Sequence, residues 1–346
     1  MILVTGAAGF IGHRLCARLL GDGHAVTGVD CFLPDSYDAA VKRAAVAPLL
    51  GCDRFTFVPA DLRGDDLDLR GVDAVVHLAA MPGLQQGPGA DAAYESCNVT
   101  ATMRLAAAAR RAGIETIVHA STSSVYGAVA DGDEHQPTRP ISAYGRSKLV
   151  AEGAMTDAGA VVLRYFSVYG PGQRPDMAYH RFCEAMLDGR AITVHGDGRQ
   201  ERANTYVDDV VSATVAALER GRAGEIYNVG GASPIRLLDA VDVLAGAIGV
   251  TPLIGHAPVR AGDQATTRAD TAKARAELGW TPTTDPDEGL RAQVAWHLAR
   301  RTRTRNAFLT VPPSLKSRGT RADEEGRAQG HERQPRSRRS DAGAGA

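Results

Sequence analysis

The chain has 346 residues, 44% hydrophobic and 23% charged, a balance that suits a soluble α/β enzyme with ample surface to bury. No run of about 18 apolar residues occurs, which argues against a membrane span. From Arg300 onward there are twelve Lys/Arg against five Asp/Glu, leaving 27 against 35 before it, so the acidic body carries no nucleic-acid footprint.

In chain order, Ile2–Thr5 is a short apolar strand, with no room before it for a secretory leader; a cytoplasmic protein is expected. Thr5-Gly6-Ala7-Ala8-Gly9-Phe10-Ile11-Gly12 then leads into a helix at Ile11–Leu20. A glycine trio alone is often only a tight turn. Between a strand and a helix it predicts a phosphate cradle: Gly6 for the turn, Gly9 for close backbone approach and Gly12 for helix packing. The spacing is G-x-x-G-x-x-G, not the commoner G-x-G-x-x-G. Ala25–Asp30 is the second strand, and Asp30 at its end can accept both ribose hydroxyls of NAD while repelling the extra phosphate of NADP. Cys31 and Phe32 follow, with no Arg for such a phosphate. Strands at Phe55–Pro59 and Ala74–Leu78 bring Asp61-Leu62 and Ala79-Ala80 toward the same dinucleotide.

Ala92–Ala112 reads as one long Ala-rich helix, Thr116–Ala120 as a strand, Tyr144–Ala154 as a helix and Val161–Tyr165 as a strand. Strands alternating with helices predict a Rossmann-type, doubly wound parallel sheet. Beyond about Pro171 the pattern loosens: helices near Tyr179–Leu187, Asp208–Glu219 and Leu237–Gly246, strands at Ala191–His195 and Ile226–Val229, and a last helix near Asp287–Arg301. The expected layout is an NAD-binding domain over 1–170, a smaller substrate-binding lobe over 171–301 and a basic tail over 302–346. From Ser314 the tail is too poor in apolar residues to order itself. The five cysteines, Cys16, Cys31, Cys52, Cys97 and Cys183, form no CxxC pair; reduced thiols are expected, and no metal.

Tyr144 and Lys148 form a Y-x-x-x-K pair, one helical turn apart on one face. A phenol with pKa near 10 is a poor base at neutral pH, and a neighbouring cation, reinforced by the nicotinamide charge, favours its phenolate.

With these motifs in place the sequence resembles the extended short-chain dehydrogenase/reductase family, and within it the nucleotide-sugar 4-epimerases. The resemblance runs from residue 1 to about 300. It rests on TGAAGFIG (5–12), DL (61–62), HLAA (77–80), STSSVYG (121–127), YGRSK (144–148) and LRYFSVYGPGQRPDMA (163–178). TYVDDV (205–210), YNVGG (227–231), RAGD (260–263) and ELGW (277–280) follow in order. It implies that Thr122 hydrogen-bonds the sugar 4-oxygen, that Tyr144 takes and returns its proton, and that Lys148 holds the nicotinamide ribose and tunes Tyr144. It also implies that Arg202 and Arg260 bind the diphosphate, with Arg174 a third candidate, and that Asp263 binds the nucleoside ribose. Relatives are usually homodimers. Members that dehydrate or decarboxylate the sugar carry acidic residues beside the Ser/Thr, whereas Ser123 and Ser124 follow here. Simple epimerisation is implied: hydride leaves C4 to NAD, the keto-sugar turns over, and the hydride returns to the opposite face.

Hexose epimerases commonly have Asn after the LRYF strand, where this chain has Ser167; another departure is Ala203-Asn204 before the YVDD run. Ser167, Ser123, Ser124 and the stretch YDAAVKRAAVAPLL (37–50) resemble the UDP-glucuronate 4-epimerase branch. This favours a UDP-uronate, with UDP-glucose 4-epimerisation, or another nucleotide-sugar epimerase or dehydratase, as alternatives. A non-catalytic NAD-binding sensor on the same fold would be expected to lose the Tyr/Lys pair.

Overall fold

The computed structural model describes residues 1–33, 37–83, 90–259, 264 and 266–309, with side chains as far as Arg303. Met1–Ala299 form one compact unit. The tail beyond Leu309 lies outside the described residues, and with it the expectation of disorder.

The first half alternates β1 (Ile2–Thr5), α1 (Gly12–Gly21), β2 (Val26–Asp30), α2 (Ala39–Val46), β3 (Phe55–Pro59) and β4 (Ala74–His77). Two helical segments, α3 (Ala90–Tyr94) and α4 (Ala101–Arg111), lead to β5 (Thr116–Thr122), β6 (Val129–Gly132), α5 (Ala143–Asp157) and β7 (Val161–Tyr165). The second half holds β8 (Val168–Tyr169), α6 (Ala178–Leu187), β9 (Ile192–His195), β10 (Glu201–Arg202), β11 (Thr205–Tyr206) and α7 (Val207–Arg220). It continues through β12 (Ile226–Val229), β13 (Ile235–Arg236), α8 (Leu237–Ile248), β14 (Ile254–Ala257), β15 (Thr266–Ala269), α9 (Ala272–Leu278) and α10 (Pro286–Leu309).

Seven strands make one parallel sheet in the order β12-β7-β5-β4-β1-β2-β3. Its central strands are apolar on both sides because both faces are covered. Ile2, Val4, Ala74 and Val76 pack with Leu15 and Leu19 of α1 and Val210 of α7. Leu3 and Val75, on the opposite side of the pleat, pack with Leu105 of α4 and Met155 of α5. A third apolar core joins Phe182 and Met186 of α6, Val194 of β9, Leu244 of α8 and Leu290 of α10.

The strand order reverses between β1 and β4, the place where a doubly wound sheet opens a crevice at its carboxyl ends. Thr5 and His77 end those strands side by side. The Thr5 hydroxyl pairs with His77 Nδ1 at 2.7 Å, and Ala79 N donates to the same oxygen at 3.2 Å. The start of the loop after β4 is thereby anchored at the crevice.

The helix expected over Ala92–Ala112 is interrupted: Glu95–Thr100 forms a π-helical turn. Asn98, buried in that turn, accepts from Met81 N at 2.7 Å and donates to Met81 O at 3.1 Å and to Ser147 Oγ at 3.0 Å. These bonds explain why the wide turn persists, since it ties the loop after β4 to α5.

Candidate active site

A cleft of about 1230 Å³ runs along the carboxyl end of the main sheet. That exceeds the ~300–1,000 Å³ of a single small-ligand pocket and accommodates two ligands end to end. One end is walled by Gly6, Gly9, Phe10, Ile11 and Gly12. Gly6 has φ +72°, and a Cβ there would stand 2.9 Å from Ala79 N; one on Gly12 would stand 2.0 Å from Gly6 O. A side chain at either position would collide with backbone, so the loop keeps this shape only with glycine there.

Asp30, buried at the end of β2, accepts from Ala8 N at 3.3 Å and from Phe32 N at 2.8 Å. Lys42 of α2, also buried, lies 3.8 Å from Asp30 Oδ1. Cys31 and Phe32 bring no Arg to Asp30, but α2 brings a lysine from twelve residues away. Asp61, Leu62, Ala79 and Ala80 continue the same wall. The Asp61 carboxylate is held below the usual range by its hydrogen bonds from Arg63. Glycines, acceptor and shape together fit a dinucleotide.

β5 and α5 deliver the candidate reacting groups. Thr122 is the last residue of β5, and its hydroxyl favours the phenolate of Tyr144. Ser142 caps α5, accepting from Gly145 N at 3.0 Å, which fixes the first turn where Tyr144 sits. Burial raises the Tyr144 pKa above 10, while Thr122 and the Arg174 charge pull it down. Lys148 is buried and donates to Ala120 O at 2.5 Å, and burial lowers its pKa to about 8. Arg174 thus adds a second cation to the surroundings of the phenol, beside the Lys148 expected to tune it.

Ser123, Ser124, Ser167, Arg174 and Arg202 line the other end of the cleft. Arg174 is paired with Asp176 through Nε at 3.0 Å and NH2 at 2.8 Å. Arg202 donates to Glu201 O at 3.1 Å and to Gln264 O. Arg260 and Asp263 lie outside the described residues.

Asn98, Lys42, Gln264 and the buried Glu152–Arg164 pair, at 2.5 Å, were not singled out from sequence. Lys42 sat inside the flagged stretch 37–50; the others left no local signal. No helix among the described residues is long and apolar enough to cross a membrane.

The profile of the NAD dependent epimerase/dehydratase family matches residues 2–230. An uncharacterised UDP-glucose epimerase of Bacillus subtilis, YtcB, is 39% identical over 85% of this chain and 97% of its own length. A UDP-glucuronate 4-epimerase of Thermodesulfobacterium geofontis is 34% identical over 85% of this chain and 95% of its own. The crystal structure of UDP-glucuronic acid 4-epimerase from Bacillus cereus, with UDP-glucuronic acid and NAD, superposes with a TM-score of 0.83 at 37% identity, covering 86% of this chain and 99% of that one. The chain belongs to the NAD dependent epimerase/dehydratase family, within the extended short-chain dehydrogenases/reductases, and its cofactor is NAD.

Proposed function

We propose that this enzyme epimerises UDP-sugars at C4 and takes UDP-glucuronate to UDP-galacturonate in preference to UDP-glucose to UDP-galactose. The observation that carries the reaction type is the Thr122–Tyr144 pair followed by Ser123 and Ser124, with no carboxylate beside it. Among the described carboxylates of the cleft, Asp30 and Asp61 belong to the cofactor end, Asp176 is neutralised by Arg174, and Glu184 is bonded to His297. A dehydratase would need one of them as a proton donor to the sugar.

NAD, when bound, supplies the acceptor and donor of hydride and a positive charge that lowers the cost of a phenolate nearby. Tyr144 Oη takes the proton of the sugar 4-hydroxyl and later returns it. The Thr122 hydroxyl would bridge the two oxygens, and Lys148 would hold the nicotinamide ribose.

The uronate preference is supported by Arg174. Its NH1 group has no partner among the described residues, and its charge reaches Tyr144. Ser124 and Ser167 add hydroxyl donors on the same wall. Hydrogen bonds to a charged group contribute roughly 1.5–3 kcal/mol, more than the same donors gain from a hydroxymethyl group. The test is incubation with both UDP-sugars, products read by NMR. UDP-glucuronate should react faster, and Ser167→Ala should slow it more than UDP-glucose. An enzyme that epimerises UDP-glucose and ignores UDP-glucuronate would overturn the substrate choice alone. A 4-keto-6-deoxy product would overturn the reaction.

A further inference from the structure

We propose that Gln264 is a specificity-determining residue that commits the Ser123 proton, so that Ser123 meets the substituent at C5 of the sugar as a hydrogen-bond acceptor. The inference rests on the sugar-site reading above.

Gln264 Nε2 donates to Ser123 O at 3.0 Å and to Gly127 O at 2.9 Å. An amide nitrogen has two hydrogens, so both are used. A flipped amide would set Oε1 against two carbonyl oxygens, so the chemistry determines which end is which. Oε1 therefore faces Ser123 Oγ, 3.0 Å away. That oxygen only accepts, so the Ser123 hydroxyl must donate to it.

The amide is not free to swing aside. Turning it would take the amide hydrogen from Gly127 O and leave Ser123 O with Tyr126 N alone, and Arg202 holds the Gln264 main-chain oxygen as well. Ser123 lines the cleft at 3% exposure. With its one proton engaged, it offers a ligand only lone pairs. Lone pairs suit the O–H of a hydroxymethyl group and oppose a carboxylate. Recognition of a carboxylate falls to Arg174, Ser124 and Ser167, and Gln264 limits how strongly the site prefers it. The expected wild type binds both classes of UDP-sugar.

The test is calorimetric titration of UDP-glucuronate and UDP-glucose into the NAD-loaded full-length Tyr144→Phe protein, in which turnover does not interfere. Ser123→Ala should weaken UDP-glucose about two- to tenfold, as expected for one neutral hydrogen bond, and leave UDP-glucuronate unchanged or tighter. Gln264→Met should free the Ser123 proton and raise the preference for UDP-glucuronate by about tenfold or more. Adding Ser123→Ala to Gln264→Met should abolish that gain. These are ratios between two ligands, which a general loss of stability does not move. Weaker UDP-glucuronate binding than UDP-glucose binding in Ser123→Ala would overturn the proposal, and so would an unchanged ratio in Gln264→Met. If Gln264→Met does not fold, Ser123→Ala decides alone. A parent protein that binds neither sugar overturns the sugar-site reading and this inference with it. A ratio that moves the wrong way overturns this inference only.

Discussion

Tyr144 sits under opposed influences. Burial disfavours its phenolate, while the Thr122 hydroxyl and the Arg174 guanidinium favour it. Burial outweighs them in the protein alone, so the positive charge that NAD would bring is what moves the phenol toward the range of a general base. Tyr144→Phe should lower turnover by about 10²–10⁴, the usual worth of a general acid/base, while the purified protein still releases NAD on denaturation. A variant keeping a tenth of the activity would remove Tyr144 from the role. Asp30 poses a second residue-scale question, because Lys42 stands 3.8 Å from it. Asp30→Ala removes an acceptor for the ribose and leaves that ammonium without its carboxylate. NAD should then bind about tenfold more weakly, since hydrogen bonds to charged groups are worth roughly 1.5–3 kcal/mol. NADP should lose less or gain, because its phosphate can take the place of the carboxylate. Titration of both cofactors by fluorescence checks this, and a wild type with equal affinities would contradict the role of Asp30.

The element that carries Tyr144 is held from beneath. Glu152 lies eight residues further along α5 and accepts from Arg164 of β7 at 2.5 Å and from Ser121 of β5 at 2.6 Å. Arg164 also donates to Tyr126 Oη at 2.9 Å, which donates to Asn228 of β12 at 2.7 Å. Glu152 and Arg164 are almost fully buried, so removing one leaves the other uncompensated. Glu152→Ala should cost about 3–5 kcal/mol of stability, read by chemical denaturation. A loss below about 1 kcal/mol would mean that the pair is not what fixes α5 to the sheet. None of this was legible locally. Glu152 is one polar residue on a helix, and Arg164 reads as an interruption of an apolar strand until β5, β7 and α5 close around it. The π turn at Glu95–Thr100 was hidden for a related reason: its Ala-rich flanks suit a continuous helix, and only the bonds of Asn98 to other elements hold it open.

Across the whole molecule, the sheet buries two imidazoles on neighbouring strands, His77 of β4 opposite His119 of β5, with ring centroids 5.2 Å apart. Burial lowers the His77 pKa to about 3 and holds His119 well below its usual 6.5, with Lys148 adding to both effects. In the unfolded chain both titrate near 6.5. As pH falls below that value the unfolded state takes up protons that the folded state refuses, so stability falls between about pH 6.5 and 3. Neither ring nitrogen of His119 has a hydrogen-bond partner among the described residues. His119→Phe should therefore fold with similar or greater stability at pH 7 and lose less on acidification. Thermal midpoints from pH 7 to pH 4 for both proteins test this, and parallel curves would exclude His119 as a source of acid lability.

The sequence by itself determined what depends on neighbours along the chain. Apolar runs of four to seven residues, glycines at 6, 9 and 12, an acid closing β2 and a Tyr/Lys pair one turn apart are local patterns, and their order along the chain narrows how each is read. They were enough to place the parallel sheet and to anticipate that the glycine loop, Asp30 and Tyr144 line one cleft. Tertiary structure alone decided which charges meet. Lys42 reaches Asp30, the Arg174 charge is felt at Tyr144, and Gln264 closes on Ser123 across 141 residues. Such contacts act over a few ångströms between segments far apart in sequence, so no local pattern announces them.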